Sequence, residues 1–289
     1  LCLIRKAYRE FDVVMCHTPI ISHLCRLAAI GLKKRSRIVY MVHGLRFIPG
    51  RRRTIKSAIF EGIEVLLARY TDKYIAINDL DYKYLKSLKG DRSVSLVNGV
   101  GVTMVKNHVK RSWNKGKLRV GFVASYKKEK GYDDLIDLSK KLDPDNYEIV
   151  TCGYGKVWES KEHSEASIIK HKGFIKNMND FYEGIDVLLT LSKREGLNVS
   201  MQEAMGLGIP CVGLDVRGVR DLIKEGINGY CIMNDNARIE RVQHVLEGIR
   251  LMSEEEYSFM SLNAFSCAKK YDRSKLAEEL VKAVTSSGL

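Results

Sequence analysis

Short apolar runs alternate with helical segments along the whole 289-residue chain, and this alternation is what most restricts the folds available to it. The apolar runs are continuous, which is typical of strands buried on both faces of a parallel sheet. The segments between them space their apolar residues as helices with one buried face do. The chain is therefore predicted to be an α/β protein with parallel sheets. The predicted strands are residues 12–17, 37–42, 73–78, 93–97, 118–124, 147–152, 167–172, 187–191 and 210–214.

The periodic pattern lapses between residues 103 and 117, where Lys, Asn, Arg and Ser replace the apolar residues. Domain boundaries fall in polar segments of this kind, so we interpret it as a linker. The first predicted domain, residues 1–108, holds four of the strands. The second comprises residues 109–289, and we expect its last helix, 273–284, to be able to pack back on the first domain.

Net charge indicates the kind of partner, and cysteine spacing indicates the compartment. The formal net charge is +13, so an anionic partner is expected. No nucleic-acid recognition motif is present, whereas diphosphate substrates or an anionic membrane surface account for the charge. The seven cysteines form no CxxC pair, which argues against a metal site and favours a reducing, cytoplasmic compartment. No apolar run has the length of a transmembrane helix.

One strand–loop–helix segment carries the most chemistry. The apolar run 186–192 is followed by a loop with Glu195 and by a helical pattern that contains Glu203. The free N–H groups of Ser200 and Met201 and the positive end of the helix dipole would favour a phosphate. One carboxylate on each side of the phosphate would accept hydrogen bonds from hydroxyl groups, which describes a nucleotide-sugar. The alternative is a solvated helix with two surface carboxylates, because short motifs often occur by chance.

The spacing of these carboxylates, E-x7-E within residues 192–210, resembles the signature of the family 4 retaining glycosyltransferases. That family has the GT-B fold, in which two Rossmann-like domains face each other across a cleft. The resemblance implies that Glu203 contacts the ribose of the donor and that Glu195 contacts the donor sugar as a catalytic residue. It also implies that the intervening loop, Gly196, Leu197 and Asn198, binds the donor.

A second strand–loop–helix segment, residues 120–131, is similar to the family's G-R-L-x-x-x-K-G element, whose Arg and Lys hold the donor diphosphate. Lys130 and Gly131 match this element and are assigned to donor binding. Ser125 occupies the Arg position, which puts half of the charge clamp in doubt. A solvated lysine loop is the alternative interpretation.

Further matches follow other predicted strands. Gly153 would let a nucleotide approach the backbone closely, although it also suits an ordinary turn. Phe174 and Ile175 fall in the segment whose backbone reads the nucleobase edge in the family. His43 follows a strand of the first domain, where the resemblance implies a catalytic histidine that donates a hydrogen bond to the leaving phosphate. His17, one strand earlier, is a candidate for contact with the acceptor.

Two acidic pairs and the strand count complete the comparison with the family. Asp143 and Asp145 match the D-x-D motif of metal-dependent glycosyltransferases. They lie in a predicted turn, however, at the edge of the sheet opposite to the predicted donor residues. No metal or other cofactor is therefore expected. Asp79 and Asp81 are expected to cap a helix. The first domain has four predicted strands where the family has six or seven, so we expect it to be incomplete at its amino end.

The resemblance implies a hexosyltransferase that moves a sugar, with retention, from a nucleotide diphosphate sugar to a hydroxyl of a lipid-linked saccharide. The acceptor carrier would be a polyprenyl diphosphate, in bacterial capsule or exopolysaccharide synthesis. A cluster of Arg46, Arg51, Arg52 and Arg53 would rest on an anionic leaflet, on the inner face of the plasma membrane, unless it is a solvated helix start. The alternative functions are a GT-B nucleotide-sugar epimerase and an inactive nucleotide-binding remnant.

Overall fold

The computed structural model describes residues 1–32, 35–51, 54–107, 111, 116–155 and 168–286. The chain divides into a first unit, Leu1–Gly101 with Arg273–Leu289, and a second unit, Val102–Asp272. The predicted boundary between residues 108 and 109 lies outside the described residues. So do residue 167, Arg52, Arg53 and much of the predicted linker.

Each unit is built around its own parallel sheet, so the predicted fold class is confirmed. The sheet of the first unit has the strand order β1-β2-β3-β4, and that of the second has the order β10-β9-β8-β5-β6-β7. Within the described residues the strands are β1 (Val13–Cys16), β2 (Arg37–Val42), β3 (Lys73–Ala76), β4 (Val94–Leu96), β5 (Leu118–Val123), β6 (Tyr147–Cys152), β7 (Ile169–His171), β8 (Val187–Thr190), β9 (Cys211–Leu214) and β10 (Gly229–Ile232).

Helices connect the strands and cover the sheets. Within the described residues they are α1 (Cys2–Glu10), α2 (Pro19–Ala28), α3 (Ile55–Leu67), α4 (Asp79–Lys89), α5 (Tyr132–Ser139), α6 (Met178–Glu183), α7 (Val199–Gly206), α8 (Arg238–Leu251), α9 (Glu254–Ala268) and α10 (Arg273–Thr285). The last helix, α10, is part of the first unit. Since every strand pair is parallel, each connection returns the chain to the same edge of its sheet, which gathers the loops that follow the strands.

Burial explains why most strands could be predicted from the sequence. All four residues of β3 and of β8 are buried, and so are the last five of β2. A strand covered on both faces has no polar side, and its apolar run is therefore continuous. Strand β10 was missed, because it begins at Gly229, a typical turn residue, and only three apolar residues follow within the strand.

Side-chain caps fix the starts of two helices. Helix α3 begins at Ile55, because the Thr54 side chain accepts a hydrogen bond from the Ser57 backbone and ends the preceding loop. Helix α4 is capped by Asn78, whose side chain accepts from the backbone N–H of Asp81. The assignment of the cap to Asp79 and Asp81 was therefore wrong.

Two searches bear on membrane insertion and metal binding. In the part of the chain that the structure describes, no helix is both long enough and apolar enough to cross a bilayer. Nor do three or more His, Cys, Asp or Glu side chains of these residues come together as metal ligands would.

Candidate functional site

The predicted donor residues lie in the second unit, in the loops that follow β5, β6, β7 and β8 and, for Glu203, in helix α7. These four strands are neighbours in the sheet and run parallel, so their carboxyl ends share one edge. The loops are joined directly, since the Lys193 backbone N–H after β8 donates to the Glu129 carbonyl after β5 (2.9 Å). Ligands bind at this edge in open α/β sheets.

Glu195 stands at the centre of a compact cluster of charged groups. Its Oε1 accepts from Lys130 Nζ at 2.7 Å and from the Asn198 amide at 3.3 Å. Its backbone carbonyl accepts from Arg217 Nε at 3.0 Å. The Glu195 side chain is 12% exposed and that of Lys130 is 35% exposed, so solvent reaches the pair from the lysine side. The structure thus brings together two residues that lie 65 positions apart in the chain.

Gly131 and Gly153 are fixed by close backbone approach within the unit. At Gly131 φ is +77°, and a Cβ would lie 2.1 Å from the carbonyl oxygen of Leu191 at the end of β8. At Gly153 φ is +150°, and a Cβ would lie 1.8 Å from the Ala124 carbonyl oxygen. Both glycines are therefore needed to hold the loops together, whether or not a nucleotide approaches them.

The start of α7 differs in one respect from the sequence prediction. Asn198 is the N-cap, and its Oδ1 accepts from the Met201 backbone N–H at 2.9 Å. The Met201 N–H is therefore not free for a phosphate, because the protein itself satisfies it. Leu197 and Asn198 are buried beside this turn, and Gly196 is half-buried.

Glu203 has a partner that sequence reasoning missed. The hydroxyl of Tyr182 donates to Glu203 Oε2 at 2.7 Å, and Tyr182 is 1% exposed. Burial, together with the Glu203 charge, raises the pKa of Tyr182 far above its ordinary value, so the phenol stays protonated. The adjacent Gln202 is also buried, and its amide Nε2 has no hydrogen-bond partner. Tyr182 lies in α6 and is buried like a core tyrosine. The sequence around it therefore gives no sign of its hydrogen bond to Glu203.

The segment predicted to read the nucleobase lies beside the end of β6. The Gly153 N–H donates to the Gly173 carbonyl at 2.8 Å, which fixes the turn that leads to Phe174 and Ile175. Phe174 is 78% exposed, whereas Ile175 is half-buried. Both are therefore held at the surface next to Gly153.

A hydrogen-bonded network that the sequence did not predict connects these loops. The Thr151 hydroxyl contacts His171 Nδ1 at 2.7 Å and the Tyr126 hydroxyl at 3.2 Å. The other ring nitrogen of His171 contacts the Tyr132 hydroxyl at 3.3 Å. Because Tyr126 and Tyr132 flank the lysine loop and His171 ends β7, the network ties the Lys130 loop to the nucleobase segment.

His43 lies in the first unit, where it pairs with His17. The His17 Nδ1 and His43 Nε2 atoms are 3.1 Å apart, and the rings stack at a centroid distance of 5.4 Å. Partial burial and the neighbouring His17 lower the pKa of His43 below its ordinary value of 6.5, so its neutral form dominates at neutral pH. Since the two nitrogens share one hydrogen bond, a ligand would use the other His43 nitrogen or displace His17.

Ser125 leaves the lysine loop without the expected arginine, but the structure supplies a guanidinium from another loop. Arg217, 5% exposed, follows β9 and reaches the Glu195 backbone. Sequence analysis gave this side chain no role. The cluster around Glu195 therefore has two cations and one carboxylate.

Known proteins resemble this chain in sequence and in fold. EpsD of Bacillus subtilis, named as a glycosyltransferase, is 29% identical over 278 residues, which cover 85% of this chain and 71% of EpsD. The UDP-Gal:alpha-D-GlcNAc-diphosphoundecaprenol alpha-1,3-galactosyltransferase of Escherichia coli is 23% identical over 300 residues, covering 92% and 74%. The crystal structure of Anabaena HepE with UDP and glucose has a TM-score of 0.80 at 16% identity, covering 99% of this chain and 81% of HepE.

The two parallel-sheet units and their likeness to the solved structures define a GT-B protein. Residues 104–256, more than half of the chain, match the family of glycosyl transferases group 1. The chain belongs to that family. The prediction of a glycosyltransferase is thus confirmed at the level of the family, and its relatives include EpsD and a Klebsiella pneumoniae protein of the cps region.

Proposed function

We propose that the protein is a retaining, family 4 type hexosyltransferase that uses a nucleotide diphosphate sugar and a lipid-linked saccharide acceptor in exopolysaccharide or capsule synthesis. The observation that carries the proposal is the Lys130–Glu195 pair at the start of α7, 2.7 Å between Nζ and Oε1. The donor class is supported by the UDP and glucose in the HepE structure. The acceptor class is supported by the diphosphoundecaprenol in the name of the E. coli relative.

The donor diphosphate would take the place of Glu195 as the partner of Lys130. The lysine is partly exposed and carries three donors, so it can turn to a phosphate without leaving its loop. The positive end of α7 and the nearby Arg217 add to the attraction. Glu195, released from the lysine, then accepts hydrogen bonds from the hydroxyl groups of the donor sugar. Lys130 thus has an anionic partner before and after binding, and Glu195 exchanges its lysine partner for hydroxyl donors.

The nucleoside would be held on the other side of the phosphate. Glu203 accepts from the ribose hydroxyls, with one oxygen fixed by Tyr182. The backbone at Phe174 and Ile175 reads the edge of the base, and the turn at Gly153 supports it.

The chemistry needs no protein nucleophile in this proposal. The donor bond breaks through an oxocarbenium-like state, and the acceptor hydroxyl attacks from the same face while the departing phosphate takes its proton. Positioning and electrostatic stabilisation by the charged cluster supply most of the rate. His43 remains the predicted donor of a hydrogen bond to the leaving phosphate, in its neutral form. No metal or other cofactor takes part.

Thermal stabilisation by a panel of nucleotide sugars tests the donor site. A ligand at 100 times its Kd stabilises a protein by about 2.7 kcal/mol, which a melting curve resolves easily. Glu203→Ala should abolish stabilisation by the bare nucleotide diphosphate. Glu195→Ala should remove only the extra stabilisation that the sugar gives. The matched control is Glu255→Ala, since Glu255 is an exposed carboxylate of α9.

Equal responses of the Glu195 and Glu203 variants to the bare nucleotide would refute this division of roles. Incubation with the donor alone separates transfer from isomerisation, because an epimerase would convert the donor without an acceptor. Transfer to a polyprenyl-diphosphate saccharide should continue in the presence of EDTA. Loss of product with EDTA would overturn the metal-free mechanism.

A further inference from the structure

Helix α3 of the first unit turns its apolar side outwards. Ile55 is 85% exposed, Ile59 57% and Leu66 59%. At 100° per residue these positions lie on one arc, together with the exposed Ala58 and Val65. The opposite arc carries Glu64, which is buried. The apolar spacing in the sequence therefore predicted the helix correctly, but its large aliphatic side chains face away from the sheet.

Helix α2, which packs beside α3, has the same inverted arrangement. Its large aliphatic side chains point outwards, and its inner face carries small residues and Arg26, which is fully buried. We call the combined surface the aliphatic face. It consists of Ile20, Ile21, Leu24 and Leu27 of α2 and Ile55, Ile59, Val65 and Leu66 of α3.

A buried ion pair fixes this orientation. Arg26 donates to both oxygens of Glu64, at 2.5 and 3.0 Å, and the Tyr74 hydroxyl donates to one of them at 2.7 Å. Turning either helix by half a turn would expose these charges and separate them. Since an unpaired buried charge is costly, the pair holds both aliphatic surfaces outwards. Contiguous exposed apolar patches of this kind mark protein or membrane contacts.

Basic residues border the aliphatic face. Arg51 and Lys56 are exposed at the start of α3, and Arg69 is exposed just after its end. The Arg46 guanidinium lies over the Phe60 ring, 5.5 Å from its centroid, next to the same helix. The two carboxylates of α3 itself, Glu61 and Glu64, are half-buried and buried. A surface that combines aliphatic side chains with a cationic border fits an anionic lipid bilayer.

We propose that the aliphatic face, with its basic border, docks the first unit on an anionic membrane surface and inserts its Ile and Leu side chains into the headgroup region. A second copy of the chain fits less well, because a symmetric contact would bring the same cations together. The inference rests on the proposed function only in that a lipid-linked acceptor lies at a membrane. The helices would lie on the bilayer rather than cross it.

Vesicle flotation without any donor tests the surface by itself. The full chain should float with vesicles of phosphatidylglycerol and phosphatidylcholine, more weakly with phosphatidylcholine alone, and less at high salt. Ile59→Glu should weaken binding to the mixed vesicles about tenfold or more. Arg51→Glu should weaken it about fivefold or more, and only on anionic vesicles. The matched control is Phe259→Glu in α9, an apolar side chain that is 63% exposed in the second unit and should leave flotation unchanged.

Three outcomes would overturn the proposal. The first is equal flotation of Ile59→Glu, Phe259→Glu and the unchanged protein. The second is equal binding to neutral and anionic vesicles. The third is a dimer in sedimentation that Ile59→Glu dissociates while flotation is unaffected, which would assign the face to a second copy. Nucleotide-sugar stabilisation should be the same in Ile59→Glu and the unchanged protein, and its absence from both would count against the proposed donor site instead.

Discussion

Tyr182→Phe isolates the role of a single hydrogen bond at the proposed ribose site. The substitution keeps the buried ring and removes only the O–H that donates to Glu203 Oε2 at 2.7 Å. A hydrogen bond to a charged group contributes about 1.5–3 kcal/mol, and the lower end applies here because Glu203 is partly exposed. For a unit of this size, about 2–4 °C of melting temperature corresponds to each kcal/mol. We therefore expect the melting temperature to fall by about 3–6 °C.

The effect on nucleotide affinity follows from side-chain entropy. Without Tyr182, binding of the ribose must order the Glu203 side chain, which costs about 1 kcal/mol, or about fivefold in Kd. Calorimetry should show this loss for a nucleoside diphosphate but not for its 2′,3′-dideoxy counterpart, which lacks the hydroxyl groups. Tyr147→Phe is the matched control, because the Tyr147 hydroxyl donates to Glu247 in the same unit. It should lower stability without changing the ribose-dependent affinity.

A different result would refute the reasoning about Glu203. If Tyr182→Phe weakened both nucleotides equally, the hydroxyl would support the fold of the site and not the reading of the ribose. If affinity were unchanged while the melting temperature fell, Glu203 would not need Tyr182 for orientation. Glu203→Gln separates these cases from failure of the donor site, since it should remove the preference for ribose altogether.

Three further predictions concern the first unit. Glu64→Leu should cost about 3–5 kcal/mol in urea unfolding because it leaves Arg26 buried and unpaired, and the double variant with Arg26→Leu should recover much of that loss. Burial would raise the pKa of Glu64, but hydrogen bonds from His23 and Arg26 hold this pKa at about 2, against an ordinary 4.5. The stability that the Glu64 charge supplies is therefore complete above pH 4.5 and falls as the pH decreases towards 2. A free energy of unfolding that stays constant between pH 4.5 and pH 2 would contradict this. His17→Asn should raise the pKa of His43 towards 6.5 in an NMR titration, because a neighbouring cation disfavours protonation, and an unchanged midpoint would show that burial alone lowers it.

The sequence predicted those features that depend on local pattern. The bounds of β2 and β6 were correct because both strands are buried along nearly their whole length. The strand–loop–helix at Glu195 was predicted for the same reason, since an apolar run and a capped helix lie on either side of it. Local pattern also placed Lys130 and Gly131 in the loop between β5 and α5.

Contacts between distant residues were beyond such patterns. Tyr182 and Glu203 are 21 positions apart, and Arg26 and Glu64 are 38 apart. No spacing rule links such pairs, because the geometry of the sheet brings them together. Spacing also gives the period of an apolar stripe but not its direction. The outward face of α3 could therefore be recognised only once Glu64 was seen to be buried.

In the proposed function, the Lys130–Glu195 pair accounts for diphosphate binding at a site that has Ser125 in place of an arginine. In the unbound protein the Glu195 carboxylate pairs with the Lys130 ammonium and neutralises its charge. In the proposed mechanism, a donor that carries its own negative charges would replace the carboxylate on Lys130, and Arg217 would add a second cation. Glu195, freed in that exchange, would accept hydrogen bonds from the donor sugar. Diphosphate binding and sugar recognition would then be coupled through one ion pair.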